Sequence, residues 1–147
     1  QTVPEQDIVD GNFPTVKSPN PEEPAALSMA IEKDKKTGAE IVMATDPDAD
    51  RLGIALRNPN NEFVLLNGNQ TGVLLTHYIL SQYKASNKYK GNEYIIKTIV
   101  TTDLMDRIAE SYRVKCYNVL TGFKYFAVLI RNLEGKEKFI GGGEESY

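Results

Sequence analysis

The stretch Thr45-Asp46-Pro47-Asp48-Ala49-Asp50-Arg51-Leu52-Gly53 places three carboxylates at alternate positions, with a cation directly after them. Like charges ~4 Å apart cost about 1 kcal/mol in bulk water and more beside a protein surface. No cluster of lysines stands nearby to relieve that cost. A divalent cation would relieve it, because its charge together with that of Arg51 balances the three carboxylates. Hard oxygen donors suit Mg2+, which keeps coordination positions open for water or a phosphate oxygen. Asp46, Asp48 and Asp50 are therefore the candidate metal ligands, and Mg2+ is the candidate cofactor. The plainer alternative is an acidic turn that caps a strand and faces water.

Rival chemistries can be tested on the same letters. A calcium-binding EF-hand loop starting at Asp46 requires Gly at its sixth position and Glu at its twelfth. Those positions hold Arg51 and Arg57, which excludes it. A phosphatase of the haloacid-dehalogenase type also sets Asp-x-Asp after an apolar strand, with the first residue, here Asp46, as nucleophile. Such loops usually carry Thr or Val where this chain has Asp50. A non-catalytic divalent-ion module stays open as well.

Elements of alternating type must position these residues. Asn20-Pro21-Glu22-Glu23 predicts a helix start with Asn20 as N-cap, followed by Ala26, Leu27, Ala30 and Ile31 at helical spacing and a stop at Gly38. Residues 39–44 and 52–56 read as strands on either side of the acidic loop, and 58–61 as a turn. Beyond it, 63–66 predicts a strand and 71–83 a helix with Val73, Leu74, Leu75 and Tyr78 turned inward. A nearly continuous apolar strand follows at 94–100. Thr102 or Asp103 then caps a helix that buries Leu104, Ile108 and Tyr112. Residues 116–120 predict a strand, 123–133 a helix, and 139–140 the start of a last strand. The expected fold class is α/β, with two layered units of mixed, mostly parallel sheets flanked by helices. The boundary is expected at the 58–61 turn, giving units 1–60 and 61–147.

The order of these segments resembles the α-D-phosphohexomutases, the phosphoglucomutase/phosphomannomutase family. The likeness rests on residues 46–53, which are similar to that family's metal loop, and on Gly11-Asn12-Phe13-Pro14-Thr15-Val16 with Pro19-Asn20-Pro21-Glu22-Glu23 ahead of them. It continues through Thr121-Gly122-Phe123-Lys124 to Gly143-Glu144-Glu145-Ser146-Tyr147, similar to the sugar-binding loop. The resemblance implies that 1–60 is the C-terminal part of a second domain, including the metal loop 45–53. It makes 61–147 a third domain, truncated in the sugar loop. Domains of the same protein on either side would supply a phosphoserine and a phosphate-binding loop. Ser18 reads as a turn residue rather than that serine, because the His that normally precedes Asn-Pro is missing.

The resemblance further implies that Asp46, Asp48 and Asp50 hold Mg2+ and that Arg51 neutralises charge beside the same phosphate. Glu144 and Ser146 would hydrogen-bond sugar hydroxyls. Lys124 would lie near the substrate, as a phosphate partner or general acid/base. With Thr121 as N-cap, Lys124 falls at the third helical position, where the dipole disfavours a cation and free N–H groups attract an anion. The substrates implied are hexose phosphate and hexose bisphosphate, of glucose or mannose. A phosphopentomutase-like member of the family is the near alternative. The chain alone is expected to be inactive.

Composition sets outer bounds. The 147 residues include 41% hydrophobic and 25% charged residues, typical of a globular domain. Lys and Arg total 17 against 20 Asp and Glu, with no basic block, so a nucleic-acid surface is not expected. Lone Cys116 excludes an internal disulfide framework, and no apolar run suits a membrane span. A soluble, cytoplasmic protein is expected. The start at Gln1 and the stop within a glycine-rich, acidic run lead us to expect a piece of a longer protein.

Overall fold

The structure is a computed structural model and describes residues 1–145. The chain divides into two compact units, Gln1–Gly68 and Asn69–Tyr147. Both are α/β, as expected, but their sheets differ in kind.

The first unit is built on helix α1 (Pro24–Thr37) and strands β1 (Ile41–Thr45), β2 (Leu52–Arg57) and β3 (Phe63–Leu66). The strands pair in the order β1-β2-β3, antiparallel throughout. The mostly parallel pairing expected from the sequence therefore does not hold in this unit. Loops 46–51 and 58–62 are far too short for the crossover that parallel neighbours need, on the order of a dozen residues. Leu27, Ala30 and Ile31 of α1 cover one sheet face, against Val42, Ala44, Ala55, Phe63 and Leu65. The helix starts one turn later than its sequence suggests, because Glu23 precedes Pro24 and is held extended at φ −77°, ψ 130°. Asn20 makes a turn ahead of the helix, where its Oδ1 accepts the Glu22 N–H at 3.0 Å. The stop at Gly38 is as expected, with φ 68° and its N–H on Asp34 O.

Two features lock this unit. Asp34 is buried and pairs with the Arg57 guanidinium, which also donates to Ala39 O and Asn61 O and lies over the Phe63 ring. Gly53 sits where the chain ahead of α1 crosses β2. A Cβ there would lie 1.9 Å from Pro21 O, so no other residue fits.

The second unit holds α2 (Gly68–Ala85), β4 (Glu93–Thr98), α3 (Leu104–Ser111), β5 (Lys115–Val119), α4 (Phe123–Leu133) and β6 (Lys138–Gly143). Its strands run parallel in the order β5-β4-β6, and every residue of β4 is buried. On one face, Leu80 of α2 and Ala109, Ile108 and Tyr112 of α3 pack on Ile95, Cys116 and Ile140. On the other, Phe126, Leu129, Ile130 and Leu133 of α4 pack on Tyr94, Ile96, Tyr117 and Val119. Helix α4 has the bounds its sequence suggests.

The inward faces of α2 and α3 differ from expectation. Leu74, Leu75 and Tyr78 are exposed, and Thr71, Thr76 and Leu80 turn inward instead. The apolar residues of α2 lie on more than one side, so hydrophobicity alone does not pick its buried face. In α3 the stripe is Met105, Ile108, Ala109 and Tyr112, and Leu104 points outward. Among the described residues, no helix is long and apolar enough to cross a membrane.

Candidate functional site

The acidic loop is the connection between antiparallel β1 and β2. It is closed by the Asp46 N–H on Arg51 O at 3.4 Å and by the Ala49 N–H on Asp46 O at 3.1 Å. Ala49 takes a left-handed conformation, φ 60°, which few non-glycine residues adopt. The outcome is that one carboxylate oxygen from each of Asp46, Asp48 and Asp50 lies within 4.8 Å of the others.

The three acids are not equivalent. Asp46 has a fully buried side chain, and its Oδ1 and Oδ2 accept the Arg51 N–H at 3.1 Å and Arg51 Nε at 2.8 Å. Burial alone would raise its pKa, but the Arg51 hydrogen bonds outweigh that and lower it to about 2. Burial and the charges of Asp48 and Asp46 raise that of Asp50. Such crowding of like charges is what a bound cation would remove, and each oxygen keeps a lone pair for it. The donor set is therefore all carboxylate and fits a hard divalent ion. Arg51 also approaches Asp50 Oδ1 at 3.8 Å, so it pairs with the same acids that it was expected to help neutralise. Asp46 is poorly placed as a phosphatase nucleophile, since both its oxygens accept hydrogen bonds from Arg51.

In the second unit the candidate residues gather at the C-terminal ends of the parallel strands. The chain leaves β4 towards β5 on one side and returns to β6 on the other, and ligands of open α/β sheets bind where strand order reverses in this way. Lys97 lies near the end of β4, within the run that reads as a nearly continuous apolar strand. It is buried, and its Nζ donates to Thr101 O at 3.0 Å, Asp103 Oδ1 at 3.2 Å and Asp106 Oδ2 at 3.1 Å. Burial opposes its charge, but Asp106 and Asp103 outweigh this and raise its pKa. A lysine inside an otherwise apolar strand was the available signal, because buried lysines are almost always paired.

The cap of α4 differs from its sequence reading, although the helix bounds do not. Its N-cap is Gly122, at φ 113°, not Thr121, and no side chain of the cap residue bonds the helix. Lys124 therefore falls at the second helical position, exposed, with Nζ 5.0 Å from the Tyr125 ring centroid. The anion at this helix end is the protein's own: Glu144 Oε2 accepts the Gly122 N–H at 2.6 Å. Glu144 and Lys124 thus belong to one helix start, which their separation in sequence had hidden. The next residue, Glu145, donates its N–H to Thr101 Oγ1 at 3.0 Å. Ser146 lies outside the described residues.

Comparison with known proteins gives a consistent picture. Residues 1–60 match the family model described as phosphoglucomutase/phosphomannomutase, alpha/beta/alpha domain II, and residues 67–147 match domain III of the same family. A phosphomannomutase of Mycoplasmoides pirum is 40% identical over 144 residues, covering 98% of this chain and 26% of that protein. A phosphoglucomutase of Staphylococcus saprophyticus is 42% identical over 128 residues, covering 87% of this chain and 23% of that protein. Among solved structures, a phosphoglucomutase/phosphomannomutase family protein from Burkholderia thailandensis aligns with a TM-score of 0.67 at 26% identity. That alignment covers 93% of this chain and 26% of that one. The chain spans about a quarter of the length of the curated relatives it matches.

Proposed function

The chain belongs to the phosphoglucomutase/phosphomannomutase family, and on that premise we propose that it is the central part of a phosphohexomutase. The enzyme would move a phosphoryl group between the 1 and 6 positions of a hexose phosphate, of glucose or mannose, by way of a hexose bisphosphate. The observation that carries this reading is the close approach of the Asp46, Asp48 and Asp50 oxygens on a loop closed by Arg51. These three would hold Mg2+, which when bound supplies Lewis-acid neutralisation of a transferring phosphoryl group.

The protein's own residues do the rest. Arg51 orients Asp46 and favours its ionised form, so that a ligand oxygen is ready, and adds positive charge beside the loop. Glu144 and Ser146 would accept and donate hydrogen bonds to sugar hydroxyls. To meet a sugar, Glu144 uses the lone pairs left beside its bond to the Gly122 N–H. Lys124 would face the substrate phosphate as a charge partner or proton carrier. The phosphoryl donor, a phosphoserine, belongs to domains of the same protein outside this chain, so the chain alone is inactive. Nucleic acids and membranes are not partners in this reading.

The test uses the full-length protein that carries this chain. Glucose 1-phosphate is supplied with Mg2+ and a trace of glucose 1,6-bisphosphate, and glucose 6-phosphate is followed. Conversion that disappears in Asp48→Asn is the expected result. Absence of conversion with glucose and mannose phosphates alike would reject the hexose reading, and activity on ribose phosphate alone would replace it by a phosphopentomutase.

A further inference from the structure

Thr101 is 4% exposed and makes a hydrogen bond through every polar group it has. Its N–H donates to Thr98 O at 3.0 Å, and its carbonyl accepts Lys97 Nζ at 3.0 Å. Its Oγ1 lies 2.9 Å from Thr98 Oγ1 and accepts the Glu145 N–H at 3.0 Å. A hydroxyl has one proton and two lone pairs, so these two bonds fit its capacity without conflict. Lys97 and Thr98 belong to the central strand, which makes Thr101 a fixed post at the end of β4.

What the post holds is the segment that leaves β6. The last paired residue of β6 is Gly143, beside Lys97. Glu144 reaches the start of α4, and Glu145 is tied by its backbone to Thr101. The tie is made by the Glu145 backbone, while its side-chain Oε2 is buried and makes no hydrogen bond among the described residues. The segment is thus gripped on both sides of the Glu144 Cα, by the strand before it and by Thr101 after it. With both neighbours fixed, the Cα–Cβ direction of Glu144 is set, and its carboxylate can reach the Gly122 N–H.

We propose that Thr101 is the positioning residue of the sugar-binding loop, setting the direction of the Glu144 carboxylate through the Glu145 N–H. This rests on the reading of Glu144 as a sugar ligand given above. Thr101→Val keeps the shape and removes the acceptor, whereas Thr101→Ser keeps the acceptor.

The full-length protein carrying this chain is assayed for KM and kcat with glucose 1-phosphate, and amide exchange is followed at Glu145. Loss of one hydrogen bond at a positioning contact is expected to raise KM about fivefold in Thr101→Val, with kcat within about twofold of the parent. The Glu145 amide should exchange faster, and Thr101→Ser should restore both. Unchanged KM with an unchanged Glu145 amide, or failure of Thr101→Ser to restore them, would overturn the proposal. If Thr101→Val does not fold, Thr98→Val, which removes only the partner of the Thr101 hydroxyl, is read by the same two signals. A parent protein inactive on hexose phosphates would reject the reading of Glu144. The Glu145 amide would then decide on Thr101 alone, faster exchange in the variant supporting the post and unchanged exchange removing it.

Discussion

The two candidate regions of this chain are built in opposite ways. The acidic loop is local: six residues between neighbouring antiparallel strands carry all three carboxylates and the arginine that orients them. The end of the second unit is assembled from three connections that lie far apart in sequence, 99–103, 120–122 and 144–145. Each contributes one or two groups, and the 144–145 segment is bonded to both of the others. A local site depends on its own turn and on the strands that frame it. A composite site depends on the parallel sheet that brings its loops to one edge.

Substitutions can break that contrast, beginning with the frame of the first unit. Asp34→Ala would leave the part-buried Arg57 guanidinium without its carboxylate, and breaking a buried pair in this way costs about 3–5 kcal/mol. Denaturant unfolding of the variant should show that loss. Gly53→Ala forces a Cβ into the Pro21 backbone, and an overpacked site of this kind costs about 1–3 kcal/mol. Its effect should reach the acidic loop, two residues away, as shifted amide signals at Asp50 and Arg51. A Gly53→Ala variant with unchanged stability would show that the crossing of β2 is not tight.

In the second unit, burial and the neighbouring Asp106 charge push the Cys116 thiol up to about 12 from its ordinary 9.0. A raised pKa favours the protonated thiol in the folded state, so this stabilisation is complete below pH 9 and is lost as pH rises towards 12. Thiol reagents at pH 8 should leave the native protein untouched and label it on unfolding. The smallest effect is expected at Ala49. Replacing it by Gly relieves a left-handed conformation but loosens the unfolded chain, so stability should change by no more than about 1 kcal/mol. Thermal melting of Ala49→Gly measures this.

The same contrast explains what could be read from the sequence. The acidic loop was legible because its residues are contiguous, and a crowd of like charges is visible in the letters alone. Helix α4 was legible because Phe126, Leu129, Ile130 and Leu133 recur at helical spacing, and these are the residues that pack on the sheet. In α1 it is Pro24 and Glu23, not Pro21 and Asn20, that stand at the first helical position and the N-cap. Its signal was present, since a proline at position 24 cannot sit inside a helix that began at 21. The antiparallel first sheet was also within reach through its loop lengths. The bond from Glu144 to Gly122 was not, because no spacing rule links residues joined only by strand order. Lys97 was legible as a lysine within an apolar strand, whereas its partners, Asp103 at the cap of α3 and Asp106 within it, were not.

The central claim is that Asp46, Asp48 and Asp50 form a seat for a divalent ion. Mn2+ serves as a paramagnetic stand-in for Mg2+, with line broadening followed residue by residue along the chain. The account predicts broadening confined to the loop between β1 and β2, reversed by excess Mg2+ and absent in Asp48→Asn. Broadening spread over acidic surfaces generally, or unchanged in Asp48→Asn, would contradict it.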